Sequence, residues 1–267
     1  MAKLGLIAGS KRFPLIFAQA ARAKGYEVVV FAVKGDAARS IGSYADKVLW
    51  LRLSEFGRLG ELMRREGIIE AVMAGQIAPC RLFSAEVIRD AGLRELLSGI
   101  KDNRADTIFS AVIGHLEKSG VKFLDSTLFL KEMMPERGML SGPDPSVRQL
   151  EDIDFGFKLA KEVAGLDIGQ TVAVKAKAIV GVEAFEGTDN LIRRAGKLAG
   201  RGFTVVKVSK PRQDPRFDIP VVGMGTVKTL LRCGAGCLAF EADKTLFIDK
   251  EASLSLARKK GLIITAV

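Results

Sequence analysis

Between Lys3 and Leu124 short apolar runs alternate with stretches of helical periodicity, and that alternation constrains the fold more than any other feature of the chain. Lys3–Ala8 reads as a strand that Gly9 and Ser10 turn into a helix over about Phe13–Lys24, and Gly25 stops that helix. Glu27–Val33, rich in β-branched residues, and Lys47–Leu51 are the next two strands. Ser54, a candidate cap, opens a helix that reaches Glu66. Gly67 ends it, and Ile68–Ala74 returns as a fourth, buried strand. Helical patterns over Ala85–Leu97 and Arg104–Lys118 and a short strand at Val121–Leu124 complete the series. Strands and helices alternating through short turns predict an α/β fold with a parallel, Rossmann-like sheet. Ligands of such sheets bind beyond the carboxyl ends of the strands, which here singles out Gly9, Ser10, Gly75 and Gln76.

The alternation breaks at KEMMPERGMLSGPDPS, where three prolines and two glycines fit neither helical nor strand periodicity. Residues 131–146 therefore read as a linker between a Rossmann-like domain, 1–130, and a second domain, 147–267. The second domain has its own order: a helix over Val147–Val163, a hairpin of Gln170–Val174 and Ala178–Ala184, and a helix over Thr188–Ala199. A strand at Phe203–Val208 follows, then the polar loop Ser209–Asp218 and a helix at Thr226–Cys233. Extended segments at Gly236–Phe240 and Thr245–Ile248, a helix at Lys250–Lys260 and a last strand at Leu262–Val267 make it a mixed α/β domain.

Several classes of function are disfavoured. The chain of 267 residues has a net charge of +10, but the excess is shared equally between its halves, and aromatic residues make up only 7%. Such a chain lacks the basic arm or the stacking platform of a nucleic-acid binder. A phosphorylated small molecule or an anionic membrane surface suits the spread charge better. No uncharged run approaches a membrane span, and the N-terminus enters a strand with no signal-peptide pattern, so cytoplasmic location is expected. With one histidine, His115, and unpaired Cys80, Cys233 and Cys237, a zinc site lacks ligands. Any metal is expected to be hard and oxygen-bound, Mg²⁺ or Mn²⁺. The first turn, GSKRFP, has one glycine where a dinucleotide fingerprint needs three, and Asp36 already lies in a turn, which argues against a nicotinamide cofactor.

Three polar clusters sit at strand ends of the second domain. VEAFEGTDNLIRR runs from a strand into a turn that Gly187 permits, and Thr188 or Asp189 is placed to cap the following helix. LDIGQ places Asp167 and Gln170 around a glycine, and KVSKPRQDPRFDIP packs lysines, arginines and aspartates among three prolines. Each alone is equally an ordinary strand end whose acids favour a helix dipole. Together they supply carboxylates for a metal and cations for phosphate, the materials of metal-assisted phosphoryl transfer.

The N-terminal GLIAG-x-x-x-FP, DIDFGFKLAKEVAGLDIGQTVAV, VEAFEGTDNLIRRAG and VKVSKPRQDPRFDIPVVG closely resemble the UDP-2,3-diacylglucosamine pyrophosphatase family of the LpxI type. The resemblance covers nearly the whole chain and is densest from Asp152 to Gly223. It implies Mg²⁺-dependent hydrolysis of an acylated UDP-sugar to UMP and 2,3-diacylglucosamine 1-phosphate (lipid X), a step of lipid A synthesis, by a two-domain protein. By position, Asp218 matches the family's catalytic aspartate, with a role in metal binding or water activation. Glu186, Gly187, Thr188 and Asp189 match its EGTD element, with Glu186 and Asp189 as further catalytic carboxylates and Asp189 as a second metal ligand. Asp167 and Gln170 match DIGQ, and Lys210 and Gln213 match KP-x-QD. Asp106 matches the second acid of a paired-acid motif, whose first position here is Ala105. GSKRFP and GQIAPC also depart from the family's usual loops, which bears on nucleotide contacts in the first domain. Transient contact with the inner-membrane surface is expected, and a homodimer is compatible with the chain. The alternatives are a nicotinamide-dependent oxidoreductase and a nucleotide-sugar or lipid binder without turnover.

Overall fold

The computed structural model describes residues 1–77, 81, 94, 97–102 and 104–267. Cys80 and, apart from Arg94 and Leu97, the helical pattern at Ala85–Leu97 lie outside the described residues. The chain forms two compact units. The first comprises Met1–Leu130 and Asp214–Asp218, the second Lys131–Gln213 and Ile219–Val267.

In the first unit, β1 (Lys3–Ala8), β2 (Glu27–Val33), β3 (Lys47–Leu51), β4 (Glu70–Ala74) and β5 (Lys122–Phe123) form one sheet in the order β3-β2-β1-β4-β5. Every pairing is parallel, as the alternation of elements requires. Both faces are covered, which explains the continuous apolar runs. Leu4, Leu6, Val28 and Val30 are fully buried, while Ile7, Val29, Phe31 and Val33 join a core with Val112, Ile113 and Leu116. Those last three lie on α3 (Ala105–Lys118), and α1 (Phe13–Ala23) buries Phe17 and Ala21. The helix expected to start at Ser54 is instead a 3-10 turn, Leu53–Arg58, leading into α2 (Leu59–Arg65). Ser54 does not cap it: the Arg52 N–H donates to the Glu55 carboxylate at 2.8 Å, and that local bond holds the tighter turn.

The second unit carries a six-stranded mixed sheet, in the order β6-β13-β11-β9-β7-β8. Its strands are β6 (Gly138–Ser141), β7 (Thr171–Lys175), β8 (Ala178–Val182), β9 (Thr204–Lys207), β11 (Cys237–Phe240) and β13 (Ile263–Ala266). A two-stranded ladder of β10 (Val221–Val222) and β12 (Leu246–Phe247) stands apart. β9, β11 and β13 run parallel, whereas β7 is antiparallel to β8 and β9, and β6 to β13. The stretch expected as a linker thus contributes an edge strand. Four residues between Pro135 and Pro143, with one neighbour to pair, are too few to show a period. One face of the sheet packs α4 (Val147–Gly165) through Ile153, Ala160 and Ala164. Gly156 lets α4 approach closely, since a Cβ there would lie 2.8 Å from Val206 Cγ2. The other face packs α5 (Thr188–Ala199), α6 (Met224–Cys233) and α7 (Lys250–Lys260) through Leu191, Leu230 and Leu254.

Candidate functional site

The first unit has its candidate site where the strand order reverses, between β1 and β4. Gly9 and Ser10 follow β1, and Gly75 and Gln76 follow β4. The Gly9 N–H donates to Ala74 O at 2.9 Å and the Ser10 N–H to Gln76 O at 2.8 Å, so the two turns close on one another. Both glycines are required: a Cβ on Gly9 would lie 2.7 Å from Gln76 O, and one on Gly75, whose φ is +80°, would lie 2.5 Å from Ser10 O. The sequence thus places these four residues together, at the crevice where open parallel sheets bind ligands. Asp106 stands in the first turn of α3. Nearby, the Asp102 carboxylate accepts from Arg104 and Thr107, and these bonds hold it well below the usual carboxylate range. Asp36, after β2, is ion-paired with Arg81 at 2.5 Å with its side chain 5% exposed. Its carboxylate is held inside the fold.

In the second unit the DIGQ turn, the end of β8, the end of β9 and the start of α5 meet at one end of the sheet. Thr171 pairs with Lys207 across β7 and β9, and Lys207 with Phe240 across β9 and β11. The Glu183 N–H donates to Thr171 O at 2.8 Å. Gly169 makes the approach possible, because a Cβ there would lie 2.1 Å from Glu183 O. Asp167, with a φ of +58°, turns its carboxylate onto Lys210 Nζ at 2.6 Å, and both side chains are nearly buried. The Lys210 N–H in turn donates to Gln213 Oε1 at 2.5 Å. Gln170 anchors the turn through its carbonyl, which accepts the Val208 N–H at 2.9 Å. Three of the resembling elements are thereby brought together.

The EGTD element divides by role. Gly187, with a φ of +78°, is itself the N-cap of α5, and neither Thr188 nor Asp189 caps the helix. The Thr188 hydroxyl instead donates to Glu183 Oε1 at 2.8 Å and accepts from Lys207 Nζ at 3.0 Å. Lys207 is 8% exposed, and its ammonium has no carboxylate partner among the described residues. Glu186, by contrast, is exposed. Its carboxylate accepts from Arg194 at 2.6 Å and from the Ala184 N–H at 3.1 Å. Burial by itself raises the Glu186 pKa, but the bonds from Arg194 and from the Glu186 and Ala184 N–H groups, with the Arg194 charge, together outweigh it and leave the group below its ordinary value.

Among the described residues, Glu183 Oε2 and Asp189 Oδ1 are buried and have no hydrogen-bond partner. A carboxylate oxygen in that state calls for a cation or a donor from outside the protein. Both are hard oxygen donors, the chemistry that Mg²⁺ and Mn²⁺ select. No group of three or more His, Cys, Asp or Glu side chains placed to hold a metal ion occurs among the described residues. Glu183 and Lys207 lie within the polar clusters read from sequence but outside the site residues expected there. Period-2 alternation marks Glu183: Gly181 faces Leu191 of α5, so the residue two further on faces the same helix.

Asp218 belongs to the first unit, with Asp214–Phe217. The N–H of Asp218 donates to Asp214 O at 3.0 Å, closing a turn. Ser126 donates to Pro215 O through its N–H at 2.8 Å and its hydroxyl at 2.9 Å. Arg216 forks onto Asp214 and reaches Glu117 at 3.0 Å. The Phe217 ring lies 5.8 Å from that of Phe109, against the core of the unit.

Residues 3–133 match the LpxI N-terminal domain, and residues 136–265 match the LpxI C-terminal domain. The chain is 32% identical over 279 aligned positions to the UDP-2,3-diacylglucosamine pyrophosphatase LpxI of Caulobacter vibrioides, covering 100% of this chain and 98% of that one. Solved structures with some likeness include the biotin carboxylase subunit of pyruvate carboxylase, 13% identical with a TM-score of 0.30 over 74% of this chain and 42% of that one. A second is the phosphoribosylglycinamide synthetase of Anaerococcus prevotii, 12% identical with a TM-score of 0.26 over 73% and 44%. The chain spans less than half the length of either.

Proposed function

The chain belongs to the LpxI family and is a diphosphatase, and we propose that it hydrolyses the pyrophosphate bond of UDP-2,3-diacylglucosamine to UMP and 2,3-diacylglucosamine 1-phosphate (lipid X). The observation that carries this reading is the end-to-end match to the Caulobacter enzyme, which leaves neither domain of either protein unpaired. The geometry of the second unit supports it. Lys207, buried and without a carboxylate partner among the described residues, is a cation available to a phosphate oxygen, and Thr188 fixes its ammonium. Lys210, ion-paired with Asp167, places a second ammonium at the same end of the sheet without adding net charge.

The residues present fit a divalent ion, Mg²⁺ with Mn²⁺ as substitute. Glu183 and Asp189 would hold it through their orphaned oxygens, Glu183 being the ligand added to the set expected from sequence. When bound, such an ion neutralises phosphate charge and lowers the pKa of its water. We assign Asp218 to activating the attacking water, following its match to the family's aspartate. Glu186, committed to Arg194, takes the part of a turn-forming residue. Gly9, Ser10, Gly75 and Gln76 are assigned to the nucleotide, on the strength of their place at the switch point of the first sheet. None of the described helices is long and apolar enough to cross a membrane, and we place the protein in the cytoplasm, meeting its acylated substrate at the inner-membrane surface.

The test is direct. Purified protein with UDP-2,3-diacylglucosamine and Mg²⁺ should release UMP, EDTA should stop the release, and Asp218→Ala should abolish it. Wild-type protein that releases no UMP would refute the function. Full activity in Asp218→Ala would remove that residue from the mechanism.

A further inference from the structure

The polypeptide leaves the second unit after Gln213, contributes five residues to the first, and returns at Ile219. Those five residues, DPRFD, end in Asp218, and each of the first four makes a specific interaction within the first unit. Asp214 receives the Arg216 fork through Nε at 3.0 Å and Nη2 at 2.8 Å, and its carbonyl closes the turn onto Asp218. Pro215 has its φ set by its ring, and its carbonyl accepts two hydrogen bonds from Ser126, which is only 1% exposed. Arg216 spans from Asp214 to Glu117 of α3, 99 residues away in sequence. Phe217, the immediate neighbour of Asp218, lies against Phe109, also on α3. Burial would raise the Asp214 pKa, but the Arg216 bonds outweigh it and keep the carboxylate charged.

A five-residue excursion loses conformational entropy at every position, and two hydrogen bonds from a buried serine, a shared guanidinium and a ring contact exceed what an idle loop needs. All of them converge on the backbone just ahead of one carboxylate. We propose that Ser126, Glu117 and Phe109 are positioning residues for Asp218, fixing its carboxylate to the first unit although it lies in the sequence of the second domain. None of the three need touch substrate. Their effect is to set the place of the Asp218 backbone, and a reacting group displaced by about 1 Å loses on the order of a hundredfold in rate. The inference rests on the assignment of Asp218 to water activation.

The experiment compares full-length wild type, Asp218→Asn, Glu117→Gln, and the double variant Ser126→Ala/Glu117→Gln. Steady-state UMP release is read beside hydrogen exchange of peptides covering residues 214–218. Asp218→Asn is expected to be inactive; if it is active, the assignment of Asp218 fails and this inference falls with it. With Asp218→Asn inactive, the double variant is expected to lose at least about tenfold in kcat with KM within about twofold, while exchange at 214–218 accelerates. A double variant with wild-type kcat overturns the positioning role, whether or not its exchange changes. If the double variant melts early, Glu117→Gln decides, since Glu117 is 38% exposed and its loss leaves both Ser126 bonds in place. A kcat lowered at least about threefold at constant KM supports the proposal, and an unchanged kcat overturns it.

Discussion

Replacing Glu241 by glutamine will measure how firmly the site end of the second sheet is held. Glu241 follows β11, and its carboxylate accepts four bonds: two from Lys161 Nζ, at 3.1 and 2.9 Å, and two from Ser209, at 2.8 Å each from its N–H and hydroxyl. The Glu241 side chain is 17% exposed and that of Lys161 27%. Glutamine keeps the shape but removes the charge and turns one acceptor into a donor facing donors. Removing one partner of a buried pair costs about 3–5 kcal/mol; partial exposure places this change near the low end, about 3 kcal/mol. A unit of this size loses about 2–4 °C per kcal/mol, so the second unit should melt about 6–12 °C earlier by calorimetry at pH 7. Lys161→Met/Glu241→Leu should recover only part of that loss, because neither charge remains but the Ser209 N–H and hydroxyl lose their acceptor. Burial alone would raise the Glu241 pKa, but the Lys161 and Ser209 bonds prevail and hold it below its ordinary 4.5. Its contribution is therefore complete above about pH 4.5 and is lost as pH falls through the depressed value. The gap between wild type and Glu241→Gln should narrow in acid. A shift under about 2 °C at pH 7, or a gap independent of pH down to acid unfolding, would refute the reasoning.

Other outcomes can be checked by standard means. Thr188→Val breaks the chain from Glu183 to Lys207 and should lower kcat for UMP release by at least about tenfold, whereas Glu186→Gln, at an exposed pair, should change stability by under about 1 kcal/mol. Gly169→Ala forces a methyl onto Glu183 O and should destabilise the second unit by more than about 2 kcal/mol in urea titration. Burial pushes the Cys237 thiol up to about 12, so at pH 8 iodoacetamide should leave it unmodified until the protein is unfolded, as peptide mass mapping will show.

The sequence made the first sheet legible because both of its faces are buried. Runs such as Glu27–Val33 are apolar from Val28 onward, and their parallel pairing with Lys3–Ala8 follows from the crossover helix between them. β6 was hidden because an edge strand of four residues between prolines has no period to display. The DIGQ, EGTD and KP-x-QD elements were found by composition and resemblance, and they do meet through Asp167, Gly169 and Lys210. Which acid faces inward was harder to see. Glu183 and Glu186 both look like strand-end carboxylates, and only the close approach at Gly169 and the reach of Arg194 separate them. The docking of DPRFD on α3 left no local trace at all, since a phenylalanine among charged residues does not announce which core will take it.

That docking has a consequence for how the two domains can be inherited. A fragment ending near residue 133, where the two family domains divide, would retain Ser126 without its acceptor and Phe109 without its ring neighbour. The complementary fragment would carry Phe217 with no core to enter. A chimera joined at that single seam would pair Phe109 and Glu117 of one parent with Phe217 and Arg216 of another. Exchange of domains between relatives therefore needs three junctions rather than one, and substitutions at residues 109, 117 and 126 should be tied, across descent, to those at 214–217.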